Sequence, residues 1–407
     1  MTLAAPLAAF QVKSFRFQWP ADLLASWAFE MENIILAWYV LVETGSVLWL
    51  TVFGALQFLG TLIAPMLGVF GDRFGRRSVL CSLRASFAVL SAVLLTLGLA
   101  DLLSPWSVFA VALLSGLVRP SDQVIRNALI GDTMPANLLV NGMSIARTTM
   151  DSARIVGALA GAALFSALGF ANAYVVVTVF YVASVLLTLG VAPGVGTRGA
   201  TEVRPPPSSW RELRDGLAYV WATPQVLASM WLAFSVNLTA YPMTHGLLPY
   251  VAREVYRIDQ NGLGHLIAAF AVGSLLGSIV MAFGLRSARP ARLMLVGTLV
   301  WYALLAAFAL IEHKLPGVVM LLAIGLAQSF AMVTMAVVLL VTVPPEFRAR
   351  VMGVRMLAVY GLPVGLMASG LFVDWLGYAG AVGLYAAAGI AVALAIAIKW
   401  RRCLWQA

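Results

Sequence analysis

The sequence describes an all-α membrane protein, with twelve transmembrane helices in two six-helix pseudo-repeats. Three observations lead there. Of its 407 residues, 62% are hydrophobic and 11% charged, less than half the charge of roughly 25% typical of soluble domains. The apolar residues gather into runs long enough to cross a bilayer. A pattern in the first half recurs in the second. The composition excludes disorder, a disulfide scaffold and an ordinary soluble enzyme. Cys81 and Cys403 form no CxxC pair, so no zinc site or disulfide framework is implied.

A membrane helix needs about 20 apolar residues to cross roughly 30 Å of hydrocarbon. Twelve runs qualify, at about 18–42, 46–69, 78–100, 105–130, 138–165, 170–192, 225–250, 261–284, 291–311, 316–342, 349–373 and 378–400. None alternates as a barrel strand does. A backbone in lipid must satisfy its own polar groups, which makes these runs helices. Residues 1–17 lack the basic start and apolar stretch of a signal peptide.

Orientation follows from the basic residues. With both termini inside, cytoplasmic segments hold 17 Lys and Arg, and outer loops hold three, Arg253, Arg257 and Lys314. That bias predicts termini on the cytoplasmic side. The net charge of +9 then faces anionic lipid at the inner leaflet, and no nucleic-acid partner is needed to explain it.

Between the sixth and seventh runs, Ala192–Ser209 reads APGVGTRGATEVRPPPSS, a linker without apolar period. Leu213, Leu217 and Val220 then share one face of Trp210–Thr223, an amphipathic helix for the cytoplasmic surface. The expected domains are an N-terminal six-helix bundle (1–192), a linker with its surface helix (193–224) and a C-terminal bundle (225–407). Val156-Gly157, Leu168-Gly169-Phe170-Ala171 and Ala173 recur 208 positions later as Val364-Gly365, Leu376-Gly377-Tyr378-Ala379 and Ala381, and Arg147 recurs as Arg355. Parallel repeats of this kind are a transporter plan, with a binding site between them near the midplane.

Ionisable residues inside the membrane are expensive and mark function. Glu30 and Glu32 lie near mid-depth of the first run, two apart and therefore on different faces. A carboxyl group buried there can take a proton on one side and release it on the other. Arg119, Asp122 and Arg126 share one face of the fourth run, and Arg147, Asp151 and Arg154 one face of the fifth. Matching depth across the hairpin predicts the pairs Asp122–Arg147 and Arg119–Asp151. Arg154 is left to meet Glu30, Glu32 or an anionic cargo. Asp151, nearest mid-membrane, is a third proton-coupling candidate. Arg355 completes the charge network. Gln57, Asn237, Tyr241, His245 and Gln328 are polar candidates for a cavity lining, and Trp38 for stacking on cargo. The spacing of Gly157 and Gly161 suits close helix packing.

After the second run comes Gly68-Val69-Phe70-Gly71-Asp72-Arg73-Phe74-Gly75-Arg76-Arg77. This resembles the G-x-L-A-D-R-x-G-R-R signature loop of the major facilitator superfamily, with Phe70 and Gly71 departing from it. The segment Arg119–Gly161, the Ser209–Val220 helix and Val343–Met352 resemble the exporter branch that includes enterobactin-type siderophore exporters and macrolide efflux proteins. Exporters often carry Gly-Pro where Gly157-Ala158 stands here. The resemblance implies the major facilitator fold, a bacterial-type cytoplasmic (inner) membrane and a monomer. It also implies a cytoplasmic gate built from Gly68, Gly71, Asp72, Arg73, Gly75, Arg76 and Arg77. In that gate Gly75 supplies a positive φ, Asp72 meets the helix N-terminus near Arg350–Gly353, and Arg73 reaches Asp122.

No GxxxxGK[ST], HExxH, GxSxG or Cys/His cluster occurs, so no ATP motor, cofactor, metal or enzyme chemistry is expected. The reading is a secondary active transporter driven by protons. It would export small amphipathic or hydrophobic molecules, siderophore- or drug-like, by alternating access. The same features admit a lysophospholipid flippase, a proton-coupled uptake symporter and, from another class, a transporter-like receptor or scaffold.

Overall fold

Long, mainly apolar runs force the backbone to close its own hydrogen bonds, and the computed structural model is helical almost throughout its described residues. It describes residues 8–62, 74–135, 137–192, 209–284 and 289–406. Among these, eight helices are long and apolar enough to cross a membrane. Two of the eight, Asn141–Leu189 and Arg350–Lys399, have 49 and 50 residues, about twice the length a crossing needs.

Each of these two contains one glycine with non-helical dihedrals. Gly169 has φ 74° and ψ 179°, and Gly377 has φ 71° and ψ 170°. Only glycine adopts that extended, positive-φ conformation without strain. The two breaks are 208 positions apart, so the sequence repeat carries a repeated backbone turn.

The chain folds into two compact units. The first comprises Met1–Gly45, Leu56–Ala200 and Asp259–Ala268; the second comprises Ser46–Ala55, Thr201–Ile258 and Ala269–Ala407.

The first unit is built on α1 (Lys13–Thr44), α3 (Arg76–Leu99), α4 (Pro105–Thr133) and α5 (Leu139–Leu189); α2 (Val47–Leu56), which follows α1 in the chain, belongs to the second unit except for Leu56. Gly45 ends α1 in the left-handed conformation, returning its N–H to Leu41 at 3.0 Å. A capping box between Ser104 and Ser107, with Pro105 in the first turn, starts α4. Helices in lipid gain little from hydrophobic association, so close packing through small residues must hold them. Gly157 and Gly161 of α5 do this against α1. A Cβ at Gly157 would lie 2.7 Å from Glu30 Cβ, and one at Gly161 2.7 Å from Met31 Cα.

The second unit contains α6 (Ser209–Ala222), the helical run α7 (Pro224–Val255), α8 (Gln260–Gly284), α9 (Pro290–Phe308), α10 (Lys314–Thr342), α11 (Pro345–Ala358), α12 (Gly361–Lys399) and α13 (Arg401–Gln406). The start of α8 belongs to the first unit. Gly361 and Gly365 bring α12 against the backbone of α7 at Phe234 and Leu238. The amphipathic helix α6 docks its apolar face onto α11: Tyr219 stacks on Phe347 with centroids 4.7 Å apart, Val220 joins Val351 and Val354 in one core, and Arg350 lies 3.9 Å from Asp215.

Candidate functional site

The polar centre of the first unit is assembled from α1, α3, α4 and α5. Its deepest member is Arg84, whose guanidinium is fully buried. It bonds Asp22 directly, reaches Asp122 Oδ1 from Nε at 3.2 Å and donates to Thr188 Oγ1 at 2.7 Å. A buried cation needs this complete set of acceptors. Arg126 lies beside it, donating to Ser26 Oγ at 3.2 Å and contacting Met150 Sδ, while Gln18 holds the Arg126 carbonyl at 3.0 Å.

Glu32 points into the bundle and accepts two phenolic hydrogen bonds, from Tyr181 at 2.8 Å and Tyr174 at 3.3 Å. Arg119 places its guanidinium over the Phe29 ring and has Tyr181, Glu30 and Glu32 as electrostatic neighbours. Glu30 faces α5. Its Oε1 lies 4.0 Å from Arg154 Nε, and both side chains are partly open, at 20% and 45% exposure.

These contacts correct two sequence expectations. Asp122 pairs with Arg84, not Arg147, and Asp151 pairs with Arg147 one turn earlier on its own helix at 3.2 Å, not with Arg119. Depth along the helix was the only coordinate that the sequence offered. Rotation about the helix axis decides the partner, and Arg119, Asp122 and Arg126 turn toward α1 and α3. The proposed partner of Asp122 in the gate, Arg73, lies outside the described residues, as do Gly68, Gly71 and Asp72. Of the rest of that motif, Gly75 has φ 89°, Arg76 pairs with Asp132 and donates to the Ala128 carbonyl, and Arg77 donates to the Val191 carbonyl at 2.9 Å. Trp38 is 7% exposed and packs in the core, so its ring is not open for stacking on cargo. Gln57 donates to Asn33 at 2.8 Å.

Asp22, Arg84, Thr188, Tyr174 and Tyr181 were missed. Asp22 and Arg84 were legible as charges inside apolar runs, by the same rule that singled out Glu30. Tyr174 and Tyr181 are seven residues apart, on one helical face.

The second unit holds a separate polar and aromatic cluster. Gln328 of α10 donates to the Tyr241 hydroxyl of α7 at 3.0 Å. The Tyr241 ring meets His245 and Trp301 edge-on, with centroids 5.0 and 5.2 Å apart, and His245 meets Phe270 at 5.8 Å. Arg355 of α11 has Tyr241 within electrostatic reach. Asn237 bonds the Ala233 carbonyl of its own helix at 2.8 Å. Among the described residues, no group of His, Cys, Asp and Glu is arranged to hold a metal ion.

No curated protein matches the chain. Solved structures do. The nucleoside transporter NupG superposes with a TM-score of 0.71 at 17% identity, covering 95% of this chain and 99% of that one. The POT family transporter PepTSo gives 0.76 at 12%, covering 96% and 98%. The human organic anion transporter MFSD10 (TETRAN) gives 0.63 at 14%, covering 94% and 99%. At these identities the likeness is one of fold. The sequence itself matches the family model of the Major Facilitator Superfamily over residues 19–363. With that match across most of its length, the chain is a member of the major facilitator superfamily, a family of transporters and not of enzymes.

Proposed function

We propose that the protein is a proton-coupled secondary transporter that exports small amphipathic or hydrophobic molecules by alternating access, with Glu30 as the proton carrier. One observation supports this above others. The other carboxylates of the first unit's polar centre are held by direct hydrogen bonds: Asp22 and Asp122 by Arg84, Glu32 by two tyrosines, Asp151 by Arg147. Glu30 has no hydrogen bond among the described residues; Arg154 approaches it at 4.0 Å, with Arg119 a further electrostatic neighbour. A carboxylate in that position exchanges a proton without breaking a buried network. Protonation removes the counter-charge of Arg154, and deprotonation restores it. The pair therefore has two electrostatic states that an alternating-access cycle can use.

The test is purified protein in liposomes with an internal pH dye, challenged with siderophores, macrolides and lysolipids in turn. The expected result is a cargo-triggered proton flux that Glu30→Gln abolishes and Asp151→Asn preserves, its sign giving the direction of export. Lipid scrambling without proton flux, or no flux with any cargo, overturns the reading.

A further inference from the structure

The short helix α13 gathers exposed cations at one end of the second unit. Trp400 ends α12 with φ −107° and ψ 24°, and its carbonyl accepts from the N–H groups of Cys403 and Leu404, each at 3.0 Å, so α13 begins at once. Leu404 is fully buried in a core with Ala291 of α9, Ala228 and Leu232 of α7, and Ala393 and Ile396 of α12. That anchor holds the short helix against all three. Arg401 and Arg402 stay exposed on it, as does Lys399 immediately before Trp400. Arg289, two residues before Ala291 at the start of α9, is exposed too.

The same end of the unit carries exposed apolar faces. On α12, exposed Ala391, Leu394, Ala395, Ile398 and Lys399 fall at i, i+3, i+4, i+7 and i+8, which places them on one helical face. Lys399 thus ends an apolar stripe, and its ammonium lies over the Trp400 ring, 4.7 Å from the centroid. On α9, Arg289 heads a second stripe that continues through exposed Val296, Val300 and Ala303. The two helices are neighbours: the Tyr302 ring of α9 lies against Gly389 of α12 and leaves no room for a Cβ. From that contact Arg289 is 13 residues back along α9 and Lys399 is 10 residues on along α12, about 20 and 15 Å at helical rise. The four cations therefore lie near one level, where two exposed apolar faces end.

We propose that Arg289, Lys399, Arg401 and Arg402 bind the headgroup of an anionic phospholipid, whose acyl chains lie along the exposed faces of α9 and α12. Guanidinium forks match phosphate oxygens. The stem of Lys399 follows the apolar face while its ammonium reaches the headgroup. The stripes favour a lipid over a soluble phosphate or an acidic peptide, because they offer apolar surface that acyl chains cover. Trp400 at this level fits the placing of tryptophan at membrane interfaces. The site is a lipid contact of the second unit and takes no part in the proton chemistry proposed for the first.

The test is native mass spectrometry of the purified full chain in detergent, titrated with dioleoylphosphatidylglycerol or with zwitterionic dioleoylphosphatidylcholine. The first phosphatidylglycerol is expected to bind at least about tenfold more tightly, since each cation beside an anionic headgroup contributes about fivefold. Arg401→Gln/Arg402→Gln should remove most of this preference and leave phosphatidylcholine binding unchanged. Lys13→Gln/Arg214→Gln removes the same charge from exposed residues elsewhere and should leave the preference intact. If the Arg401/Arg402 variant does not fold, Arg289→Gln/Lys399→Gln gives the same readout from the two long helices. Inorganic phosphate in excess should not displace the lipid. Equal affinity for the two lipids, a preference that survives either site variant, an equal loss in the Lys13/Arg214 variant, or displacement by phosphate overturns the proposal.

Discussion

Tyr181 donates its hydroxyl proton to Glu32 Oε2 at 2.8 Å, across 149 positions of sequence. Tyr174 takes the other carboxylate oxygen. Both phenols come from the part of α5 that follows the Gly169 break, so the break determines which residues face α1. Glu32 is thereby a fixed element of the bundle. Tyr181→Phe leaves one buried carboxylate oxygen without its donor, a loss of about 1–3 kcal/mol. The expected outcome is a lower melting temperature of the purified protein, with proton-to-cargo stoichiometry unchanged in the fraction that folds. A changed stoichiometry with unchanged melting would instead place Glu32 on the proton path.

The Asp22–Arg84–Asp122 triad makes a stronger prediction. Arg84 is fully buried and serves both carboxylates. Arg84→Leu leaves two acids facing each other without a cation, a loss on the order of 3–5 kcal/mol. The variant is expected to fail in membrane expression. Adding Asp22→Asn and Asp122→Asn removes the stranded charges and should recover most of the folded protein. Fluorescence-detected size exclusion of a fused reporter checks both variants, and no recovery in the triple variant would mean that Arg84 is needed for its own packing.

How much of this was legible in the sequence varies by residue. The Gly169 and Gly377 breaks fall where the repeat placed identical Leu-Gly pairs, because the positive φ that glycine supplies is a local requirement. Gly157 and Gly161 lie against α1, as their four-residue spacing suggested. The ion pairs were not legible. Each residue turns a helix by about 100°, so a small shift in how α4 packs moves Asp122 from Arg147 to Arg84. Position along the helix is a property of the chain, but azimuth is a property of the packed bundle. Arg355 was visible as the repeat partner of Arg147.

The same packing separates glycines that tolerate a methyl group from those that do not. A Cβ at Gly161 would meet the α1 backbone at Met31 Cα, at 2.7 Å, whereas one at Gly383 has nothing within 4 Å. Gly161→Ala forces two helices apart, at a cost of about 1–3 kcal/mol. Gly383→Ala adds a better helix former in open space, a gain of up to about 1 kcal/mol. Thermal unfolding in detergent should lower the midpoint for the first and hold or raise it for the second; equal shifts would contradict the closeness of α1 and α5.

Glu30 and Asp151 provide the separation on which the proposed mechanism depends. Both are carboxylates on long helices of the first unit, α1 and α5, and both are near an arginine. Asp151 is bonded to Arg147 at 3.2 Å on its own helix, and that arginine is 68% exposed. Its neutralisation removes a local i,i+4 pair of a kind worth about 0.3–0.5 kcal/mol at an exposed site. Glu30 instead connects two helices, α1 and α5, through the longer contact to Arg154. Its charge therefore bears on how those helices pair, and a proton bound there changes a contact between elements. In Glu30→Gln the side chain keeps its size and stays permanently neutral. Cargo counterflow between liposome compartments at equal pH should persist, because exchange needs no net proton movement, while accumulation driven by a pH gradient should vanish. In Asp151→Asn both should remain near wild type. Arg154→Gln should resemble Glu30→Gln in losing the gradient response, since either change removes one of the two electrostatic states. Gradient-driven accumulation that survives Glu30→Gln but not Asp151→Asn would transfer the proton-carrying role to the exposed pair.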